Sequence, residues 1–209
     1  MNIVVFGATG ATGQQIVQQA VSQGHRITAF VRRSEGLGAI AARVHIVTGD
    51  VIQDRSKVAQ AVQGQEVVIS ALGRRNTLRS EHLISRAVDA IVPAMEQAGV
   101  RRMILVSAFG VGESRRDAPL IPRIMYRLLL SDIFADKKAA EDRLRSSSLD
   151  WTIVYPVLLT NGPLTGRYRV AERLELHGIP KISRADVAHF ILREAESPSF
   201  LHRVAAISY

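Results

Sequence analysis

Glycines 7, 10 and 13 set the first chemical constraint in this chain. The segment Gly7-Ala8-Thr9-Gly10-Ala11-Thr12-Gly13 follows a short apolar run, Ile3-Val4-Val5-Phe6, and precedes a helical pattern. Phosphate groups need backbone N–H donors at close range. A buried strand, a tight glycine turn and the positive end of the next helix supply them. Gly7 is expected to make the turn, Gly10 to let the backbone approach a pyrophosphate, and Gly13 to let the helix pack closely on the strand; Thr9, Ala11 and Thr12 complete the loop. With 15 glycines in 209 residues the spacing alone is weak evidence. The strand before it and the helix after it turn the spacing into a dinucleotide signal.

The residue after the second strand then discriminates between dinucleotides. An acid there accepts from the ribose 2'-hydroxyl of NAD, whereas arginine compensates the 2'-phosphate of NADP. Here Ile27-Thr28-Ala29-Phe30-Val31 runs into Arg32 and Arg33, with no acid before Glu35. NADP is the expected cofactor. Gly49-Asp50-Val51 follows the third strand, where Asp50 either accepts from the adenine amino group, beside Val51, or leads a helix from a turn. The small residues of Ser70-Ala71-Leu72-Gly73 suit a backbone running beside the nicotinamide ribose. Ser107-Ala108-Phe109-Gly110 ends the fifth strand at the same crevice, and Ser107 is either a plain strand-end hydroxyl or a functional one.

These residues need a scaffold that brings strand ends together. Strand and helix signals alternate along the whole chain, predicting an α/β fold with a doubly wound, mostly parallel sheet in three layers, Rossmann-like, and a single domain over 1–209 with a small C-terminal region on the substrate side. Strands are expected at 2–6, 26–31, 44–47, 66–70, 102–106, 151–155 and 203–208, and helices near 11–23, 54–62, 80–98, 119–130, 133–147 and 184–195. Asp54 and Ser80 suit N-caps, and Gly99 suits a helix end. Right-handed crossovers give the strand order 3-2-1-4-5-6 and one crevice at the ends of strands 1, 4, 5 and 6. The stretch Val111–Pro122 is the longest loop candidate. The amphipathic segment after it packs on the core, covers a partner subunit or forms a substrate lid.

Composition narrows the classes. The chain has no cysteine, which excludes disulfides, thiolate metal sites and a cysteine nucleophile, and its six histidines show no metal-ligand spacing, so no metal is expected. No apolar run approaches the roughly 18 residues of a membrane span, and a cytoplasmic protein is expected. The net charge of +8 attracts polyanions. The arginines are nevertheless dispersed and aromatics make up only 5%, which argues against nucleic acid as a partner. Whether the protein is a monomer or a homodimer is left open.

Taken together, Gly7–Gly13, Val31-Arg32, Gly49-Asp50-Val51, Val106-Ser107-Ala108 and Ser147–Pro156 resemble the atypical short-chain dehydrogenases that bind NAD(P)H. Within that group Leu72–Asn76, Gly162–Gly166 followed by Tyr168, and Ile182–Arg193 are most similar to the NADPH-dependent flavin reductases of the biliverdin reductase B type. The resemblance implies a pyrophosphate on the glycine turn, Arg75 on the diphosphate side or against an anionic substrate, and a nicotinamide opening bordered by Ser107, Phe109, Pro156 and Val157. Lys137 matches the family lysine and is either a ribose contact or a solvated helix residue.

The chain also departs from the pattern. Family members place a tyrosine four residues before the lysine; here that position is Ile133, and Tyr126 is too distant. The flavin reductases carry a histidine after the proline, where this chain has Val157. Reducing an isolated ketone creates a basic alkoxide that needs a placed acid, whereas a flavin or quinone spreads the charge and takes its proton from water. The expected activity is hydride transfer from NADPH to a flavin, quinone or similar planar acceptor, with Ser107 and Lys137 as candidate catalytic groups. The alternative is a non-catalytic NADP-binding redox sensor or regulator.

Overall fold

The computed structural model describes residues 1–73, 81–111, 131–176 and 178–209. The chain forms β1 (Asn2–Phe6), α1 (Ala11–Ser22), β2 (Arg26–Val31), a 3-10 segment (Glu35–Arg43), β3 (His45–Thr48), α2 (Arg55–Val62) and β4 (Val67–Ser70). It continues through α3 (Leu83–Ala98), β5 (Arg102–Val106), α4 (Ser131–Arg145), β6 (Asp150–Pro156), β7 (Leu158–Thr160), β8 (Arg169–Ala171), β9 (Lys181–Ser183), α5 (Arg184–Glu196) and β10 (Arg203–Ser208).

One sheet has the order β3-β2-β1-β4-β5-β6-β10-β8. It is parallel apart from β8, which runs antiparallel to β10. Strands covered on both faces must be apolar on both, which explains the unbroken run Ile3-Val4-Val5-Phe6. Alternation divides it: Ile3 and Val5 pack with Ile16 and Val17 of α1, while Val4 and Phe6 pack with Val88 and Ile91 of α3. α1 lies beside α5 on one face, and α3 beside α4 on the other. This is the three-layer, Rossmann-like architecture expected, with the strand order extended by β10 and β8.

Three short strands and the 3-10 segment had no counterpart in the sequence reading. β7 and β9 pair with each other outside the main sheet, and each spans three residues, too few to display an alternation. Of the expected caps, Asp54 holds the N-cap position of α2, but its Oδ2 accepts from the Asp50 N–H at 2.7 Å and not from the first turn of the helix. α3 begins at Leu83, not at 80, and its cap comes from another helix. The buried Asp136 carboxylate of α4 accepts from the Ile84 and Ser85 N–H groups, both at 2.9 Å. Gly99 ends α3 in the left-handed conformation, as expected. The candidate helix at 119–130, Ser80, Tyr126 and most of the 111–122 loop lie outside the described residues.

Candidate functional site

The glycine turn is built as its residue types require. Gly7 has φ +83°, and a Cβ there would lie 2.6 Å from the Ala71 carbonyl oxygen, so no larger residue fits beside the end of β4. A Cβ on Gly13 would collide with the Gly7 carbonyl. Gly10 is different: its φ is negative, and a Cβ would meet only the Gly7 carbonyl oxygen, at 3.2 Å. The helix that follows has no side-chain cap and no acid in its first turn. Its first intrahelical bond runs from Gln14 N–H to Gly10, leaving the N–H groups of Ala11, Thr12 and Gly13 directed past the helix start. An uncapped, acid-free helix N-terminus beneath a glycine turn fits a dinucleotide pyrophosphate.

Beside this turn opens a cleft of about 1010 Å³ lined by Thr9, Arg32, Arg33, Gly36, Gly49 and Lys57, among others. The loop after β2 folds against the turn. A Cβ on Gly36 would press on the Thr9 side chain at 2.8 Å, and Gln14 Nε2 donates to the Gly36 carbonyl at 2.6 Å. Three cations, Arg32, Arg33 and Lys57, thus border one cleft with Thr9. Glu35, Asp50 and Asp54 line it as well. Two of those acids are occupied: Asp54 by the Asp50 N–H, and Asp50 by the Ile52 and Gln53 N–H groups at 2.9 and 3.1 Å. One oxygen of the Asp50 carboxylate, Oδ1, thus closes its own turn, while Asp50 also lines the cleft. Val51 is buried in the core beneath it. Lys57 escaped the sequence reading because a lysine in the first turn of a helix carries no motif.

At the opposite end of the crevice, Ala71, Leu72 and Gly73 follow the end of β4, and the Ser70 hydroxyl is buried without a partner among the described residues. Phe109 packs against both cores, and its N–H donates to the Pro156 carbonyl at 3.0 Å. Val157 is buried among apolar side chains, its N–H reaching the Ile207 carbonyl at 3.4 Å. Ala108 follows Ser107 at the end of β5. Arg75 lies outside the described residues.

Ser107 is almost fully buried, and its Oγ lies 2.5 Å from Glu141 Oε1. Glu141 is buried too, and its other oxygen accepts from the Tyr155 hydroxyl at 2.6 Å. Burial pushes the Glu141 carboxyl upward despite the hydrogen bonds from Ser107 and Tyr155 and the nearby charges of Arg145 and Lys137. Lys137 stands one turn before Glu141 on α4. It is partly exposed, yet densely surrounded, and desolvation lowers its ammonium to about 8 against the pull of Glu141 and Asp136. Tyr155 does not face the crevice as the family tyrosine does: it is fully buried with its hydroxyl on Glu141, and burial raises its phenol above the usual range. Sequence reasoning passed over Glu141 and Tyr155. The only signal was a glutamate one helical turn after Lys137 on a face that folding buries.

The segments 162–168 and 182–193 meet around a second buried acid. Asp186 accepts from the N–H groups of Thr165 and Gly166 and from the hydroxyls of Thr165, Ser183 and Tyr209, at 2.7 to 3.0 Å. Tyr168 bonds to His189 Nδ1 at 2.7 Å. These contacts fix the loop after β7 on α5. Among the described residues no group of His, Asp or Glu could hold a metal, and no helix is long and apolar enough to cross a membrane.

The sequence pattern of the NAD(P)H-binding family matches residues 7–198. The chain belongs to this family. The match runs from the first glycine of the turn through α5. A chloroplastic protein of Arabidopsis thaliana is 30% identical over 171 residues, covering 78% of this chain and 61% of that protein. The photosystem II assembly factor Ycf39 of Synechocystis is 27% identical over 211 residues, covering 95% of this chain and 60% of its own length. The chain thus spans about three-fifths of the length of these curated relatives. Among solved structures, ChuY of Escherichia coli O157:H7, described as an anaerobilin reductase, superposes with a TM-score of 0.82 at 27% identity, covering 99% of this chain and 96% of that one.

Proposed function

We propose that the protein is an NADPH-dependent reductase that delivers hydride to a planar, conjugated acceptor such as a flavin or quinone, akin to the flavin reductases of the biliverdin reductase B type. The observation that carries this reading is the pairing of an uncapped helix N-terminus with a cleft bordered by Arg32, Arg33 and Lys57, in a chain with Ile133 where the family tyrosine would stand. The N–H groups of Ala11, Thr12 and Gly13 hold the pyrophosphate, and Arg32 with Arg33 reads the 2'-phosphate. NADPH supplies both electrons as hydride when bound. Ser107, Phe109 and Pro156 orient the acceptor, and the balancing proton comes from water onto a ring that has already spread the charge.

The likeness to ChuY, itself a reductase, supports this substrate class. A non-catalytic NADP-binding role is the second reading, favoured by the missing tyrosine and by a relative named as an assembly factor. NADPH oxidation measured with FMN, riboflavin and a quinone separates the two. Turnover of at least one acceptor is expected. Tight NADPH binding with no turnover of any would overturn the reductase reading in favour of the second.

A further inference from the structure

Two buried hydroxyls close on one buried carboxyl: Ser107 Oγ at 2.5 Å from Oε1 of Glu141, and the Tyr155 hydroxyl at 2.6 Å from Oε2. Neither distance says where the shared protons lie, because an O–H donor and an O–H acceptor give the same separation. The inventory of protons does distinguish two states. A charged carboxylate only accepts, so Ser107 must spend its single proton on Glu141 and can offer the crevice nothing but lone pairs. A neutral carboxyl carries its own proton and donates it to Ser107 Oγ, while its second oxygen still accepts from Tyr155. The Ser107 proton is then released toward the crevice.

We propose that Glu141 is a positioning residue that acts through Ser107, its neutral form turning the Ser107 hydroxyl outward as a hydrogen-bond donor to the negative charge that develops on the acceptor. The inference rests on the reductase reading above and assigns that site a built-in donor. Its chemistry adds no proton-transfer step, since Ser107 donates a hydrogen bond and keeps its proton. Burial favours the neutral form: Glu141 is 1% exposed, desolvation is the largest influence on its carboxyl and pushes it upward, and among the described residues the hydrogen bonds to its two oxygens come from the Ser107 and Tyr155 hydroxyls. Among the described residues, the charges acting on it are Arg145 and Lys137 of its own helix, and the titratable group from the sheet is the Tyr155 phenol of β6, on which Arg145 also acts. α3, packed on the same helix, sends Asp89 to Arg143 and Glu96 to Ser148.

The direction of the pH response follows. Turnover falls as rising pH ionises Glu141 and draws the Ser107 proton inward. Glu141→Gln fixes the neutral pattern, with the amide N–H₂ donating to Ser107 and the amide oxygen accepting from Tyr155. Its pH profile is expected to lose the alkaline fall, and Ser107→Ala to lose both that fall and on the order of tenfold in kcat, a hydrogen bond's worth. An alkaline fall that persists in Glu141→Gln would assign it to another group, such as Lys137, and overturn the inference. An independent readout is difference infrared spectroscopy of the full chain. A protonated carboxylic-acid C=O band at neutral pH, absent in Glu141→Gln and shifted in Ser107→Ala, is expected. Absence of that band in the unmodified protein overturns the inference whether or not any acceptor is turned over. The band together with no turnover overturns only the reductase reading.

Discussion

In the proposed reading, Arg32 carries the choice between two cofactors. It lines the cleft with Arg33 and Lys57, and if it reads the 2'-phosphate its loss removes a charge-assisted contact that NADH does not make. Arg32→Ala is expected to weaken NADPH by roughly tenfold or more, consistent with the ~1.5–3 kcal/mol of a charged hydrogen bond. NADH affinity should change by less than about twofold; equal losses in titration calorimetry would show that Arg32 does not read the phosphate. The glycines separate binding from folding in the same way. A side chain on Gly10 meets only the Gly7 carbonyl oxygen, at 3.2 Å, so if the pyrophosphate lies on this turn Gly10→Val should abolish dinucleotide binding and keep a native circular dichroism spectrum. On Gly13 even a methyl strikes the Gly7 carbonyl, so Gly13→Ala should lower Tm before any ligand is added. The sequence made these glycines visible because their spacing is fixed by backbone geometry. It left Glu141 invisible because a glutamate acquires meaning only when folding buries it against two hydroxyls.

Helices and strands here are held in place partly by acids borrowed from other elements. Asp136 belongs to α4 but satisfies the first N–H groups of α3, and Ser85 Oγ donates to it as well, at 2.6 Å. Asp136→Ala should cost about 1–2 kcal/mol, the worth of a helix cap, seen as a lower urea midpoint with little change in slope. Asp186 does the same for the loop after β7. Burial pushes its carboxyl up, but the hydrogen bonds from Tyr209, Gly166 and Thr165 outweigh this and hold it below the ordinary carboxylate range. A carboxyl depressed by folding stabilises the protein above its unfolded pKa, and that contribution is lost as pH falls through the folded value. Acid unfolding followed by fluorescence should therefore begin at higher pH in Asp186→Asn than in the unmodified protein, or the two curves should merge once Asp186 is protonated. Overlapping curves at all pH values would remove Asp186 from the acid response. Local patterns announced α3 and α5 correctly, yet the cap of α3 lay 53 residues away from Leu83 along the chain, beyond the reach of any local signal.

The whole molecule carries +8 net charge without gathering it on one motif. Retention on DNA should accordingly disappear at physiological salt; tight, sequence-selective retention there would contradict the reading of the charge as cofactor recognition and solvated surface. Ligand binding provides the matching positive test. NADPH at 100 times its Kd should stabilise the fold by about 2.7 kcal/mol. For a chain of this length that is a rise in Tm of roughly 5–10 °C in a thermal melt, and it should exceed the rise with NADH. By itself the sequence determined the parallel sheet, its central strand order and the glycine turn, because apolar periodicity and glycine spacing are imposed by backbone geometry that neighbouring residues alone must satisfy. Tertiary structure alone decided that Lys57 joins Arg32 and Arg33 at one cleft, that Asp50 Oδ1 closes its own turn, and that Ser107 and Tyr155 both bond to Glu141. Those facts depend on which side chains the crossovers bring together and strip of water, and no local spacing encodes that.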